Sequence, residues 1–220
     1  MFLELLKNQI LFNICFLNLI MVKDYEKYDS SIPYEMYVEK IMNYKHIISD
    51  FDGTLVVLEI DWQEVVDAVN DYMKNELNIP EKIESFWHLT FKYPSLYLKH
   101  KRKFDSFIKE QEDIVIKEKK WKKINLNLWK ILEKKKFSIL SNNMSSTIEN
   151  IMVEENLIPS LIIGRDRVSI PKPEVEGIKL IMRTFKLKKE DVIMIGDTKW
   201  DRLTAERAGI SYMGVADRDV

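Results

Sequence analysis

The run Tyr44-Lys45-His46-Ile47-Ile48-Ser49-Asp50-Phe51-Asp52-Gly53-Thr54 decides the fold. A short apolar run that stops at a glycine turn reads as a buried strand. This strand carries two acidic residues where the chain leaves it. Downstream, short apolar segments alternate with helical ones. Phe137 to Leu140 reads as a strand, followed by a helix from about Ser145 to Asn156. Leu161 to Ile163 is the next strand, and Pro173 or Glu174 opens a helix to Lys186. Asp191 to Ile195 is a strand, Trp200 to Ala208 a helix, and Ile210 to Val215 a last strand. Strands alternating with helices predict an α/β fold with a doubly wound parallel sheet, a Rossmann-like core.

Between the first and second strands the pattern changes. Asp61-Trp62-Gln63-Glu64 has the spacing of a capping box. Behind it Val65, Val66, Val69, Tyr72, Met73 and Leu77 recur at helical spacing, and Pro80 and Pro94 break the region. No strand is evident, so residues 56–123 are expected to form an all-helical insertion, or cap, hinged near Val56–Glu59 and Lys123–Asn125. The expected core is then 44–55 plus 124–220. Residues 1–43 stand as an N-terminal extension, helical or partly unstructured, with a short helix from Pro33 to Met42.

The bulk numbers restrict the function. The chain has 220 residues, 46% of them hydrophobic and 31% charged, with a net charge of −1. That balance gives no support for a nucleic-acid partner. The basic run Lys99-His100-Lys101-Arg102-Lys103 reads as a solvated helix face. One cysteine, Cys15, allows no internal disulfide and no cysteine-built metal site. A cytoplasmic setting is expected. The segment Met1 to Val22 is interrupted by amides and lacks the flanks of a secretory signal. It is read as a packed helix, an interfacial anchor, or an extension ahead of a start at Met21. Membrane contact by it is not expected. Nothing in the sequence bears on oligomeric state.

The chemistry gathers at the strand ends, where ligands bind in open α/β sheets. These ends deliver Asp50 and Asp52 with Gly53 and Thr54, then Ser141 and Asn142, then Lys172 between two prolines at the start of a helix, then Asp197 and Asp201. Three carboxylates (Asp50, Asp197 and Asp201) are too many to sit together uncompensated, and hard oxygen ligands suit magnesium. A hydroxyl, an ammonium and a metal together suit a transferring phosphoryl group. Asp52, two residues past Asp50, is placed to act as a general acid.

At these residues the chain resembles the haloacid dehalogenase-like superfamily, specifically its phosphoglycolate phosphatase-like members with a helical cap of the first type. All four family motifs are matched in order: Asp50-Phe51-Asp52-Gly53-Thr54-Leu55, Ser141 after Phe137-Ser138-Ile139-Leu140, Lys172-Pro173, and Gly196-Asp197-Thr198-Lys199-Trp200-Asp201. The resemblance implies Asp50 as nucleophile and metal ligand, and Asp52 as acid/base and, through its carbonyl, a ligand. It implies Ser141, with Asn142, Gly53 and Thr54, on the phosphate. Lys172 would neutralise charge, and Asp197 and Asp201 would bind Mg2+. The implied activity is a magnesium-dependent phosphatase acting on a small phosphorylated metabolite through an aspartyl-phosphate. A phosphomutase on the same core, and a non-catalytic binding protein of the same fold, are the alternatives. A carboxylate at Asp52 favours phosphoryl transfer over dehalogenation.

The other conspicuous side chains have ordinary readings. His46 is expected to pack within its strand, and His88 and His100 to be surface or packing residues. Trp62, Trp87 and Trp121 are expected in the cap core or hinge. Lys92, Lys99, His100 and Arg102 are the cap residues placed to meet an anionic substrate. The chain stops at Val220, soon after the last strand, which leaves the sheet edge open.

Overall fold

The computed structural model describes residues 34–215, with the side chains of Tyr34, Glu35, Met36, Tyr37, Trp87, His88 and Phe91 excepted. The readings for residues 1–33, for Trp87 and His88 and for the chain end beyond Val215 lie outside the described part. Among the described residues no helix is long and apolar enough to cross a membrane.

Helix α1 (Tyr34–Met42) leads into β1 (His46–Ser49). The ribbon strand β2 (Val56–Leu58) follows, then α2 (Trp62–Leu77), α3 (Phe86–Lys92), α4 (Pro94–Glu118) and the second ribbon strand β3 (Trp121–Lys123). The chain then runs through α5 (Leu126–Leu132), β4 (Phe137–Leu140), α6 (Ser145–Glu154), β5 (Leu161–Ile163), α7 (Glu176–Thr184), β6 (Val192–Gly196), α8 (Lys199–Ala208) and β7 (Ser211–Gly214). The main sheet has five strands in the order β5-β4-β1-β6-β7. All its pairings are parallel, with Ile47 opposite Phe137 and Ile193.

Strand periodicity builds the two faces of this sheet. Ile47, Phe137, Ile139, Ile193 and Ile195 pack on α1, α5 and α6. Their neighbours Ile48, Leu140, Val192 and Met194 pack on α7 and α8. A sheet buried on both faces explains why its strands read as continuous apolar runs. His46 is buried among them, stacked on Phe185 at 4.8 Å and paired with Ser138 Oγ at 2.8 Å. Burial, with Lys136 nearby, pulls its pKa down to about 4.

The inserted block has its own core. Val65, Val66, Val69 and Met73 of α2 close on Ile83, Phe86, Leu89 and on Tyr97, Phe104 and Ile108 of α4. Asp61 caps α2 by accepting from the N–H groups of Gln63 and Glu64, as its spacing predicts. The Glu64 carboxylate is instead met by Gln111 Nε2 at 2.7 Å. Helix α4 departs from helical geometry at His100 (φ −115°, ψ 18°). There the imidazole meets Tyr72 OH at 3.0 Å and Phe104 edge-on, so His100 serves cap packing.

Three expectations are corrected. The insertion is not all-helical, because β2 and β3 form an antiparallel ribbon at its base, pairing Val56 with Lys123 and Leu58 with Trp121. Trp62 is exposed rather than in the cap core, whereas Trp121 packs half-buried in the hinge ribbon, as expected. The helix after Lys172 begins at Glu176, so Lys172 and the cis-bonded Pro173 occupy a turn.

The two chain segments that flank the ribbon are tied to each other on the side of the main sheet. Trp129 Nε1 donates to the carbonyls of Leu55 and Ile124 at 3.0 and 3.1 Å, and Asn125 Nδ2 donates to Thr54 O at 2.7 Å.

Candidate active site

Asp50 follows directly on β1, its N–H donating to Ile195 O of the neighbouring strand at 2.8 Å. Asp197 follows β6, and Asp201 sits in the first turn of α8. Adjacent parallel strands therefore bring the three carboxylates together. One oxygen from each of Asp50, Asp197 and Asp201 lies within 4.8 Å of the others.

The backbone is shaped to allow this. Gly53 has φ +83°, and a Cβ there would lie 2.3 Å from Asp197 Oδ2. Glycine alone meets both the left-handed backbone and the close approach. A Cβ on Gly196 would lie 2.5 Å from the Asp201 side chain. Thr54 Oγ1 donates to Asp197 Oδ1 at 3.1 Å. Thr198 caps α8 and, in a reciprocal capping box, its N–H donates to Asp201 Oδ2 at 3.0 Å.

Lys172 supplies the opposite charge. Its ammonium donates to Asp50 Oδ1 at 2.7 Å and also to Asp201 Oδ1. Burial pulls the ammonium down, but the carboxylates of Asp201 and Asp50 outweigh it and hold its pKa above the ordinary lysine value. Burial and then Asp201 push Asp50 up to about 8, against Lys172. The same two causes raise Asp197. Three carboxylates against one ammonium leave an excess of two negative charges, which adds to burial in raising Asp50 and Asp197. A divalent cation with oxygen ligands would cancel it, so the donor set fits magnesium.

The Asp52 side chain is held by the ribbon rather than by Lys172. Leu58 N–H of the ribbon donates to its Oδ1 at 2.9 Å. Burial, only partly offset by that bond, pushes its pKa up to about 7. Asp52 can therefore carry a proton near neutral pH.

Ser141 is buried at the end of β4 and donates to Asn143 Oδ1 at 2.8 Å. Asn142 has a bracing task. Its carboxamide accepts from Lys172 N–H at 2.9 Å and donates to Lys172 O at 3.2 Å, fixing the turn that presents the ammonium. The sequence-predicted core residues thus converge at the carboxyl ends of β1, β4 and β6. The cap candidates Lys92, Lys99 and Arg102 are exposed on helix surface.

Sequence reasoning missed the residues that join the cap to this site. Arg165, fully buried after β5, donates through Nε to Asp105 Oδ1 at 2.9 Å and through Nη2 to Tyr97 OH at 3.1 Å. It also donates through Nη1 to Asn142 O at 3.2 Å. Lys101 bonds Asp105 and reaches Arg165 O at 2.8 Å. Glu112 of α4 is fully buried against Asn143 and Met144. A signal for Glu112 was available, since it falls in step with Phe104, Ile108 and Val115 on the buried face of α4. Arg165 had none.

Residues 47–215 match the family model described as haloacid dehalogenase-like hydrolase. The chain belongs to the haloacid dehalogenase-like hydrolase family. Solved structures agree at the level of fold. A haloacid dehalogenase-like hydrolase from Bacteroides fragilis superposes with a TM-score of 0.52 at 22% identity, over 79% of this chain and 88% of that one. A hydrolase from Pseudomonas syringae gives 0.52 at 22%, over 77% and 83%. Among curated family members, a phosphoglycolate phosphatase from Photorhabdus laumondii is 41% identical over 56 residues, 26% of this chain and 24% of that protein. Pyrophosphatase PpaX from Listeria welshimeri is 39% identical over 56 residues, 26% of each chain. These alignments span about a quarter of each curated relative.

Proposed function

We propose that this member of the family is a magnesium-dependent phosphatase that hydrolyses a small phosphorylated metabolite through a phosphorylated Asp50. The observation that carries the proposal is the meeting of three carboxylates with the buried Lys172 ammonium at one end of the sheet. Asp50, Asp197 and Asp201, with the Asp52 carbonyl, would hold the metal. Bound magnesium would neutralise the excess charge and draw electron density from the phosphoryl oxygens.

The residues then divide the work. Lys172 lies on Asp50 Oδ1 and leaves the other carboxylate oxygen for attack on phosphorus. The P–O bond to the substrate alcohol breaks as the Asp50–phosphorus bond forms. Asp52, with its pKa pushed up to about 7 by burial, gives its proton to the departing oxygen. It then takes one from the water that releases phosphate and regenerates Asp50. Ser141 and Lys172, with Asn142, Gly53 and Thr54 shaping the pocket, would receive the charge on the phosphoryl oxygens. The inserted block would act as a cap that limits water at the site. The printed names of the curated relatives support a small phosphate- or pyrophosphate-bearing compound as substrate.

The test is phosphate release from p-nitrophenyl phosphate and from a panel of phosphorylated metabolites. Turnover should vanish in excess chelator, return with magnesium, and be absent from Asp50→Asn. Calcium, with its looser shell, should inhibit. Full turnover in chelator, or in Asp50→Asn, would overturn the proposal.

A further inference from the structure

Helix α4 of the inserted block sends one carboxylate into the catalytic half. Glu112 is fully buried. Its Oε1 accepts from Asn143 Nδ2 at 3.0 Å, and its Oε2 accepts from Met144 N–H at 3.0 Å. A carboxylate can only accept, so the Asn143 amide must turn its NH2 toward Glu112 and its oxygen toward Ser141. Ser141 Oγ donates to that oxygen at 2.8 Å and receives the Asn143 N–H at 3.3 Å. The side chain proposed to meet the phosphoryl group is therefore set by a chain of bonds that ends on the cap.

We propose that Glu112 is a positioning residue: through Asn143 it fixes where the Ser141 side chain sits, with the Asn143 N–H holding Oγ while the one hydroxyl proton turns from Asn143 Oδ1 to the phosphoryl oxygen on binding, so that phosphate binding depends on how helix α4 sits on the core. The loop is gripped from its other side as well. Arg165 N–H donates to Asn143 O at 2.9 Å, while its guanidinium holds Asn142 O and the α4 carboxylate of Asp105. The Thr147 side chain, in the first turn of α6, faces the same carboxylate. The burial of Glu112 is compensated only while α4 stays in register with the loop and the start of α6. An unpaired buried carboxylate is costly, so the two halves favour one seating.

The inference rests on the phosphatase reading and acts through a different residue from the nucleophile. The experiment is a double-mutant cycle on kcat/KM with p-nitrophenyl phosphate, using Glu112→Gln, Ser141→Ala and the double variant in the full chain with magnesium. Glu112→Gln keeps the shape but leaves Asn143 Nδ2 or the Met144 N–H without its acceptor. It should lower kcat/KM about tenfold in the wild-type background and less than twofold in Ser141→Ala, since groups that act through one another are not additive. Should Glu112→Gln fail to fold, Asn143→Ala cuts the same link and should show the same pattern. Equal losses in both backgrounds would mean that Glu112 acts through the charge on Asp52 or through general stability, and would overturn the inference. No loss in the wild-type background would overturn it too. In either case the phosphatase reading stands as long as the wild type turns over and Asp50→Asn does not. A wild type without turnover overturns that reading, and this inference with it.

Discussion

Replacing Asp105 with alanine is the sharpest test of what joins the two halves of this molecule. The Arg165 guanidinium has no exposure to solvent, and Asp105 is its carboxylate partner at 2.9 Å. Tyr97 OH and Asn142 O are neutral acceptors and cannot balance its charge. Lys101, itself mostly buried, loses the same partner. Breaking a buried pair by removing one member costs about 3–5 kcal/mol, because the remaining charge stays in the interior. At about 2–4 °C per kcal/mol for a chain of this size, Asp105→Ala should melt roughly 6–20 °C below wild type. Differential scanning calorimetry measures this directly. The double variant Asp105→Leu with Arg165→Met removes both charges and should recover most of the loss, since apolar replacement of a whole buried pair is often neutral. A loss below about 1 kcal/mol in Asp105→Ala would show that Arg165 finds water or another carboxylate, and the buried tie would not exist as described.

Two further outcomes follow from the site and the sheet. Asp52→Asn should slow hydrolysis of alkyl phosphates by about two to four orders of magnitude, the scale of general acid help, and the defect should shrink for p-nitrophenyl phosphate, whose leaving group needs little protonation. His46 is held near pKa 4 in the folded chain, against about 6.5 when unfolded, so the unfolded state binds the extra proton between those values. Stability should therefore fall as pH drops from about 6.5 to about 4, by at most about 3 kcal/mol, and urea titrations of His46→Asn across that window should show a shallower pH dependence than wild type.

Much of the core of the site was legible because Asp50, Asp52, Ser141, Asn142 and Asp197 stand where buried strands end. Ile47, Ile48, Phe137, Ile139, Ile193 and Ile195 mark the strands by their continuous apolar character, and the polar residues that follow are conspicuous against them. The cap connections were hard to read for the opposite reason. Glu112 and Asp105 lie in a helix crowded with charge, where exposed Glu110 and Asp113 look the same by residue type. Only their step on the buried face separates them. Strand β3 was hidden because Trp121-Lys122-Lys123 has three residues and two are lysines. It forms by pairing with β2 across the whole length of the insertion, a partner that no local pattern announces. Asn142 shows a subtler gap. Its sequence position places it beside Ser141, but its carboxamide is turned onto the backbone of Lys172. That contact depends on a turn thirty positions away.

Everything proposed for the site turns on a covalent bond between Asp50 and the phosphoryl group. Rapid acid quench of wild-type enzyme during turnover of a phosphorus-32 substrate, followed by peptide mapping, tests it most directly. Label should appear on the peptide that carries Asp50, be released by hydroxylamine as an acyl phosphate is, and be absent from Asp50→Asn. Turnover with no trapped label, or label on a peptide without Asp50, would contradict it.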